Sequence, residues 1–305
     1  MNHMQAMLDE IYNEVLPLLG EGRVADYIPA LAKVDPNQVG IAVCDLHGNT
    51  YTAGDANTAF SIQSISKLLT LVLGMEIYGD ALWKCVDKEP SGQAFNSLIQ
   101  LEMEHGIPRN PFINAGALKV CDMLYSRLAT PKQRMKEMMC KLSGNAHVTC
   151  NHTVADSERM HGARSAAMAY LMKAFKNFDN DVDDVLDAYY FACALEMNCV
   201  DLAKAFLFLA NQGKTLDAKH TILTTTQTKQ VNALMATCGM YNQAGDFAYR
   251  VGLPGKSGVG GGIVAIIPNH LSICVWSPEL NDTGNSLIGI EILERFTARI
   301  GKSIY

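Results

Sequence analysis

The chain has 305 residues, 49% of them hydrophobic and 18% charged, a composition that is typical of globular proteins and excludes a disordered one. The formal net charge is -6 and no basic run occurs, so the sequence predicts neither nucleic acid nor an anionic membrane as a partner. No apolar stretch reaches the roughly 18 residues that a helix needs to cross a bilayer.

The beginning of the chain predicts a helix followed by a β-hairpin. Apolar side chains at Met7, Ile11 and Val15 predict an amphipathic helix over about residues 4–19. Acidic residues interrupt this segment, so it does not have the pattern of a secretory signal. Two short runs rich in β-branched and aromatic residues then flank a turn at 47–49, which predicts the hairpin.

The cysteines and histidines predict a reducing compartment and no metal site. The chain has nine cysteines, scattered and without a C-x-x-C pair, which favours free thiols and therefore the cytoplasm. Its eight histidines form neither an H-x-H nor an H-E-x-x-H pattern. We therefore predict no metal and no organic cofactor.

The rest of the chain predicts helices in the middle and strands near the end. The helical part covers roughly 80–240, and from about 246 three segments predict strands: "DFAYRVG", "SGVGGGIVAIIP" and "LSICVWSP". A final helix follows. Strands at both ends of the chain most simply form one antiparallel sheet of about five strands flanked by helices. We predict one α/β domain with two lobes. The sheet lobe comprises about 1–60 and 246–305, and the helical lobe comprises about 61–245. The ligand site is expected between the two lobes.

The stretch "SISK" places Ser64 three residues before Lys67 in a predicted helix over 61–79. Side chains at this spacing share a helix face, roughly 5–6 Å apart at Cβ. A serine near a helix start is a candidate nucleophile, and a buried, uncharged lysine is a candidate base. An S-x-x-K is expected about once by chance in such a chain, and a lysine at a helix end is usually solvated, so the motif alone leaves both interpretations open.

A second motif, Lys256-Ser257-Gly258, begins the apolar segment "KSGVGGGIV". A K-[ST]-G triplet is expected only about 0.1–0.2 times by chance. It could be a plain glycine-rich turn, but glycines also allow backbone to approach a ligand closely, and such a strand can donate an N–H to an oxyanion. The charge of Lys256 is expected to help lower the pKa of Lys67.

An S-x-x-K on a helix combined with a late K-[ST]-G strand is the arrangement of the penicillin-recognising serine enzymes. Two alternatives follow, a β-lactamase or transpeptidase and a relative that acts on another amide. The absence of an export signal favours the second. No S-D-N triplet lies between the motifs, but Tyr189 and Tyr241 are available to replace its serine as proton carriers.

The chain closely resembles the bacterial serine-dependent glutaminases. The resemblance rests on "FSIQSISK", "EPSGQAFNSL", "PRNPFINAGA", "DSERMHGARSAAMAYLM", "CVDLA", "TCGMYNQAGDFAYRVGLPGKSGVGGGI" and "IGIEILE", and extends from about residue 25 to the C-terminus. It implies a β-lactamase-like fold and hydrolysis of L-glutamine to L-glutamate and ammonia. By analogy with the family it also implies a homodimer or homotetramer.

The resemblance implies a role for each matching residue. Ser64 is expected to be the nucleophile and Lys67 its base, with Tyr241 and Lys256 completing the catalytic set. The N–H groups of Ser64 and Val259 are expected to form the oxyanion hole. The expected substrate contacts are Ser64, Asn114, Glu158, Tyr189, Tyr241 and the backbone of Val259, with Glu158 pairing with the α-ammonium group.

The sequence departs from the family pattern at Ser165, where the family has an asparagine that contacts substrate. Serine is shorter, so we expect weaker glutamine binding or an altered side-chain preference. Two other functions stay open at this point: a cytoplasmic serine amidase or esterase with a different substrate, and a binding protein on the same scaffold that has lost catalysis. The intact set of Ser64, Lys67 and Lys256 argues against the second.

Overall fold

A computed structural model describes residues 3–217 and 219–305 of the chain. Within these residues the α-helices are α1 His3–Val15, α2 Ser66–Tyr78, α3 Leu98–Met103, α4 Asn114–Tyr125, α5 Pro131–Ser143, α6 His152–Met160, α7 Ala163–Ala174, α8 Val182–Cys193, α9 Cys199–Ala205, α10 Thr225–Cys238, α11 Ala244–Arg250 and α12 Leu287–Ile300. The strands are β1 Gly40–Asp45, β2 Thr50–Gly54, β3 Phe60–Ser61, β4 Thr149–Cys150, β5 Leu195–Met197, β6 Gly255–Ser257, β7 Gly262–Ile267 and β8 Leu271–Trp276.

Five strands form one antiparallel sheet in the order β2-β1-β8-β7-β6, which confirms the predicted sheet of about five strands. Its two inner strands, β1 and β8, come from opposite ends of the chain and pair from Gly40 opposite Trp276 to Asp45 opposite Leu271. The predicted hairpin turn at 47–49 is present, with Gly48 at φ 84°, and a second turn between β7 and β8 has Asn269 at φ 58°. The sheet therefore joins the two ends of the chain.

Side chains alternate between the two faces of this sheet, and helices cover both faces. Ile41 and Val43 of β1 pack with α1 and α12 in one apolar core. The intervening Ala42 and Cys44 point to the other core, which contains α2, α4, α8 and α9. Period-two alternation explains this division, because successive residues of a strand face opposite sides. The helical part of the chain is thus packed directly on the sheet.

A second, three-stranded sheet of order β3-β5-β4 lies in the helical part and was not predicted. Its strands are only two or three residues long. The Ile62 N–H extends the pairing by donating to the Leu195 carbonyl at 2.9 Å. Phe60 also stacks on Trp276 of β8, with ring centroids 4.8 Å apart. These contacts fix the backbone that leads to Ser64.

Two predicted elements differ from the structure. The segment "DFAYRVG" is helix α11, not a strand, and the fifth strand is β6. Its apolar residues fit both periods, but burial follows the helical one: Phe247 and Val251 are buried while Tyr249 is exposed. The predicted helix over 61–79 begins only at Ser66, after a single 3₁₀ turn at Gln63–Ile65.

A buried ion pair in α4 holds the turn that precedes α8. Lys119 and Asp122 are both almost fully buried, and their charged atoms are 2.7 Å apart. The carboxylate of Asp122 also accepts hydrogen bonds from the backbone N–H groups of Asp179 and Asn180, at 3.1 and 2.9 Å. This turn leads directly into α8, the helix that carries Tyr189. Because a buried charge without its partner is costly, the ion pair fixes how α4 and α8 pack.

We predict that Asp122→Ala destabilises the protein by about 3–5 kcal/mol, since it leaves Lys119 and two backbone N–H groups without their main acceptor. The measurement is the free energy of unfolding in urea. Glu76→Ala is the matched control, because Glu76 pairs with Arg134 at 3.3 Å with both side chains well exposed, and we expect a change within about 1 kcal/mol. Equal effects of the two substitutions would contradict a structural role for the buried pair.

Among residues 3–217 and 219–305, no helix is both long enough and apolar enough to cross a membrane.

Candidate active site

Ser64 lies in the 3₁₀ turn that leads into α2, and it is partly exposed to a cavity. The preceding residue, Gln63, has a φ of 49°, a backbone conformation that residues other than glycine rarely adopt. Such backbone strain persists only where the surroundings enforce it. Here β3 holds the chain on one side and α2 on the other. The free N–H groups at this helix start make the turn suitable for stabilising negative charge.

Lys67 follows in the first turn of α2, and only 1% of its surface is exposed. Its amine donates to Asn114 Oδ1 at 2.5 Å and to the Phe112 carbonyl at 3.3 Å. Both acceptors are neutral. Burial lowers the pKa of Lys67 to about 8, although the nearby Cys193 and Glu158 act in the opposite direction. With this pKa, about a tenth of the amine is uncharged at pH 7 and able to accept a proton.

The stretch "PRNPFINAGA" places Asn114 against Lys67. Asn110 accepts hydrogen bonds from the N–H groups of Phe112 and Ile113, both at 3.0 Å, and this turn starts α4 with Asn114 as its first residue. Glycine is required two residues later, at Gly116, because a Cβ there would lie 1.9 Å from the Asn110 carbonyl oxygen. The local sequence thus sets the position of the amide that binds Lys67.

Lys256 on β6 is fully buried, and its amine donates to the carbonyls of Gly239 and Ser257 at 3.2 and 2.5 Å. It also lies over the Tyr241 ring, 4.8 Å from the centroid. Burial and then the charge of Lys67 hold the pKa of Lys256 well below its usual range. Burial is also the main cause of the lowered pKa of Lys67. Repulsion between two charged amines disfavours the charged form of both, so the expected contribution of Lys256 to the pKa of Lys67 stays a prediction.

The glycine-rich turn between β6 and β7 packs directly on the backbone that carries Ser64. A Cβ at Gly258 would lie 2.6 Å from the Ile62 carbonyl and 3.1 Å from the Ser64 nitrogen. A Cβ at Gly260 would lie 2.5 Å from the Ser61 carbonyl. Only glycine allows this approach. The close packing brings Val259, between these glycines, to the wall of the same cavity as Ser64.

Tyr241 closes another side of the cavity, and like Gln63 it has a positive φ, 54°. Asn285 holds this loop, because its amide donates to the Met240 carbonyl at 3.2 Å while its oxygen accepts from Ser257 at 2.6 Å. The buried Tyr241 hydroxyl makes no hydrogen bond of normal geometry. Burial raises its pKa to about 12, although the Ser64 and Ser257 hydroxyls act to lower it. The phenol is therefore a protonated group beside Ser64.

Glu158 supplies a carboxylate to the cavity from the last turn of α6. Burial raises its pKa to about 7, although Gln63 and Lys67 act to lower it. Tyr189 on α8 is buried, with its hydroxyl 3.5 Å from Asn114 Oδ1. Ser165 lies in the first turn of α7 and is half-buried. The cavity is thus lined by the carboxyl group of Glu158 and, separately, by the hydroxyls of Tyr189 and Ser165 and the amide of Asn114.

The cavity measures about 440 Å³, which suits a small polar molecule. Seven of the predicted site residues line it: Ser64, Asn114, Glu158, Ser165, Tyr189, Tyr241 and Val259. The other two, Lys67 and Lys256, lie buried behind its wall and reach it through their contacts with Asn114 and Tyr241. The structure therefore brings together nine residues that are as much as 195 positions apart (259 − 64).

Several residues of the cavity were missed from the sequence. They are Tyr27, Ile28, Gln63, Phe95, Asn96, His161, Gly162, Arg164, Tyr190 and Cys193. Gln63 could have been found from its place beside Ser64. Tyr27 could not, because it lies in an irregular segment whose sequence carries no motif. Within residues 3–217 and 219–305 no group of three His, Cys, Asp or Glu side chains is placed to hold a metal ion.

Comparison with known proteins relates this site to one family. A family model described as Glutaminase matches residues 22–305. The Glutaminase of Aeromonas hydrophila is 60% identical over 300 residues, which cover 98% of each chain. That of Vibrio atlanticus is 59% identical over 306 residues, which cover 100% of each chain.

Solved structures give the same relation. A probable glutaminase, ybaS, has a TM-score of 0.94 at 33% identity, covering 100% of this chain and 98% of that chain. The covalent complex of the Bacillus subtilis glutaminase YbgJ with 5-oxo-L-norleucine has a TM-score of 0.89 at 31% identity, covering 99% of this chain and 100% of that chain. This agreement confirms the predicted fold, an antiparallel sheet flanked by helices in the β-lactamase-like arrangement.

Proposed function

The chain belongs to the glutaminase family and hydrolyses L-glutamine to L-glutamate, and from this premise we propose that Ser64 is the nucleophile and Lys67 its base. The observation that carries the proposal is that a cavity-facing hydroxyl is followed, three residues later in the same helical segment, by a buried amine whose pKa burial lowers to about 8. The covalent adduct known for the Bacillus subtilis relative supports a nucleophilic mechanism of this kind.

The first half of the reaction transfers the glutamyl group to the enzyme. The uncharged amine of Lys67 accepts the Ser64 proton while Oγ attacks the side-chain amide carbon. The N–H groups of Ser64 and Val259 stabilise the oxyanion, a role that their closely packed backbones support. The C–N bond then breaks, and the amide nitrogen leaves as ammonia with the proton that Lys67 took from Ser64, which the Tyr241 hydroxyl relays; Lys67 is then uncharged again.

The second half releases L-glutamate. Water attacks the ester carbon, Lys67 takes the proton of that water, and the same two N–H groups stabilise the second oxyanion. The ester C–O bond breaks and Ser64 recovers its proton. Lys256 transfers no proton in this scheme. Its amine lies over the ring of Tyr241 and keeps that side chain in position. No cofactor enters either half of the proposed reaction.

Substrate recognition follows from the charges around the cavity. The carboxylate of Glu158 pairs with the α-ammonium group of glutamine. Asn114 already accepts from Lys67 through Oδ1, so its Nδ2 is directed elsewhere and can donate to the α-carboxylate. Ser165 and Tyr189 are further donors for the same carboxylate. The pocket therefore distinguishes an amino acid from a simple amide.

Two broader properties are part of the proposal. The chain is a single domain with a sheet lobe and a helical lobe around this cavity. All nine cysteines are free thiols, which supports the cytoplasm as its compartment.

We also propose that the chain forms a homodimer or homotetramer. Helices α3 and α7 contact each other and expose large apolar side chains, with Ile99 75%, Met103 74% and Tyr170 58% exposed. Such a surface favours association with a second copy. We expect light scattering to give two or four times 33.3 kDa for the wild-type chain and a smaller assembly for Met103→Lys. Tyr249→Lys, on the exposed face of α11, is the control and should not change the mass; a monomeric wild-type chain would contradict the proposal.

The direct test of the nucleophile is Ser64→Ala. We expect kcat to fall by about 10³-fold or more because no acyl-enzyme can form, while thermal unfolding stays unchanged. Ser66→Ala is the matched control, since this nearby hydroxyl is buried against Cys193 Sγ at 3.7 Å and not in the cavity. It should keep kcat within about tenfold of wild type. Retained activity of Ser64→Ala would refute the assignment.

The pKa values predict how activity depends on pH. Lys67, with a pKa of about 8, must be uncharged to accept a proton. Glu158, with a pKa of about 7, must be charged to pair with the α-ammonium. Both requirements are better met as pH rises, so kcat/KM should increase from about pH 6 to about pH 9. In Glu158→Gln, the part of the rise in kcat/KM that comes from ionisation of Glu158, at the lower pH, should be absent. A profile that is flat or falls over this range would contradict these roles.

We predict that an amide side chain at position 165 strengthens the binding of glutamine. Ser165→Asn offers a longer donor to the α-carboxylate, and one additional hydrogen bond corresponds to about a two- to tenfold decrease in KM for glutamine, with kcat little changed. Steady-state kinetics measures both. Ser165→Ala provides the opposite control and should raise KM. An unchanged or higher KM for Ser165→Asn would show that this position does not contact the substrate.

A further inference from the structure

Tyr190 lies next to Tyr189 on α8 and also lines the cavity, but no step of the proposed mechanism uses it. Its side chain is almost fully buried, and the two tyrosine rings are 5.6 Å apart at an angle of 58°. The two side chains therefore leave the helix in different directions. Tyr189 reaches Asn114, whereas Tyr190 reaches the junction of α6 and α7.

The Tyr190 hydroxyl meets this junction at Gly162. It lies 3.4 Å from the Gly162 carbonyl. A Cβ at Gly162 would lie 1.9 Å from the phenol oxygen, so the tyrosine can occupy this place only because the residue is glycine. Gly162 is also the N-cap of α7, and a glycine cannot cap a helix with a side chain. The phenol is thus an anchor for a helix start that has no capping side chain of its own.

Ser165 is the third residue of α7, and its hydroxyl lies close enough to interact with the Tyr190 phenol. Burial raises the pKa of Tyr190 to about 12, so the phenol stays protonated and remains a hydrogen-bond donor. A serine hydroxyl rotates freely unless another group fixes it. Tyr190 is therefore placed to limit the orientation of Ser165 within the cavity.

We propose that Tyr190 is a positioning residue for substrate binding: its hydroxyl donates to the Gly162 carbonyl, with the Ser165 hydroxyl beside it, and so holds the first turn of α7 with Ser165 facing the substrate. The inference rests on the proposed function, because it takes Ser165 as a donor to the α-carboxylate. Tyr190 touches neither the reacting carbon nor the nucleophile. Its loss therefore affects binding and leaves the chemical step intact.

The test is a double-mutant cycle with Tyr190→Phe and Ser165→Ala, measured by steady-state kinetics with L-glutamine. Each single variant should raise KM about three- to tenfold and leave kcat within about twofold of wild type. Because the two residues act as one unit, the KM of the double variant should lie within about twofold of the higher of the two single-variant KM values. Effects on KM that multiply, or an unchanged KM in Tyr190→Phe, would overturn the proposal.

Tyr78→Phe is the matched control, because Tyr78 also donates from a phenol to a carbonyl, that of Met123 at 2.6 Å, but lies outside the cavity. It should leave KM unchanged. If it raised KM as much as Tyr190→Phe, the effect would be one of general stability and the proposal would fail.

Binding of L-glutamate by calorimetry separates this inference from the proposed nucleophile. In a Ser64→Ala background, Tyr190→Phe should weaken L-glutamate binding by the same factor by which it raises KM. This result does not depend on turnover, so it holds even if Ser64 were not the nucleophile. Unaltered L-glutamate binding would overturn the role of Tyr190 and leave the assignment of Ser64 untouched.

Discussion

The site depends on the close packing of two backbones, the glycine-rich turn after β6 and the segment that precedes α2. Side chains are absent at Gly258 and Gly260, and the carbonyls of Ile62 and Ser61 occupy the space where a Cβ would be. This contact fixes the sheet against the helical part of the chain at the point where Ser64 emerges. Two peptide N–H groups can thereby face one oxyanion, and any side chain at either glycine would separate them.

The buried amines show how the fold sets reactivity. Lys67 and Lys256 lie in the apolar interior, where a charged amine is costly. The protein lowers this cost by shifting their pKa downward and by giving each amine carbonyl or amide acceptors. The result for Lys67 is an amine that is partly uncharged near neutral pH, as the proposed role of base requires. A more stable interior would contain apolar residues at both positions, but it could not accept a proton from Ser64.

Backbone strain is concentrated at the same place. Gln63 and Tyr241 both have positive φ values without being glycine, and both line the cavity. Each lies in a 3₁₀ turn whose flanks are held elsewhere, Gln63 between β3 and α2, and Tyr241 by Asn285. Strained conformations survive only where the surrounding structure enforces them. Rigid surroundings of this kind keep the hydroxyls of the site in place.

The sequence by itself predicted the family, the residues of the proposed chemistry and most of the architecture. Ser64 and Lys67 are three residues apart in the helical segment that leads into α2, a spacing that puts the two side chains on one face, and the K-S-G motif marks the edge strand β6. A composition rich in Val, Ile and aromatic residues beside turn residues predicted the hairpin and the strands β7 and β8. It misassigned α11, because the apolar residues of that segment fit both periods and only packing decides which ones are buried.

Only the tertiary structure decided which distant residues meet. Asn114 binding to Lys67, Tyr190 reaching Gly162, and Tyr27 entering the cavity all depend on contacts between elements far apart in the chain. It also decided how deeply the two lysines are buried, and burial is the main cause of the lowered pKa of each. A local pattern specifies the residues that can react, but distances and burial, which set their pKa values, arise only when the chain has packed.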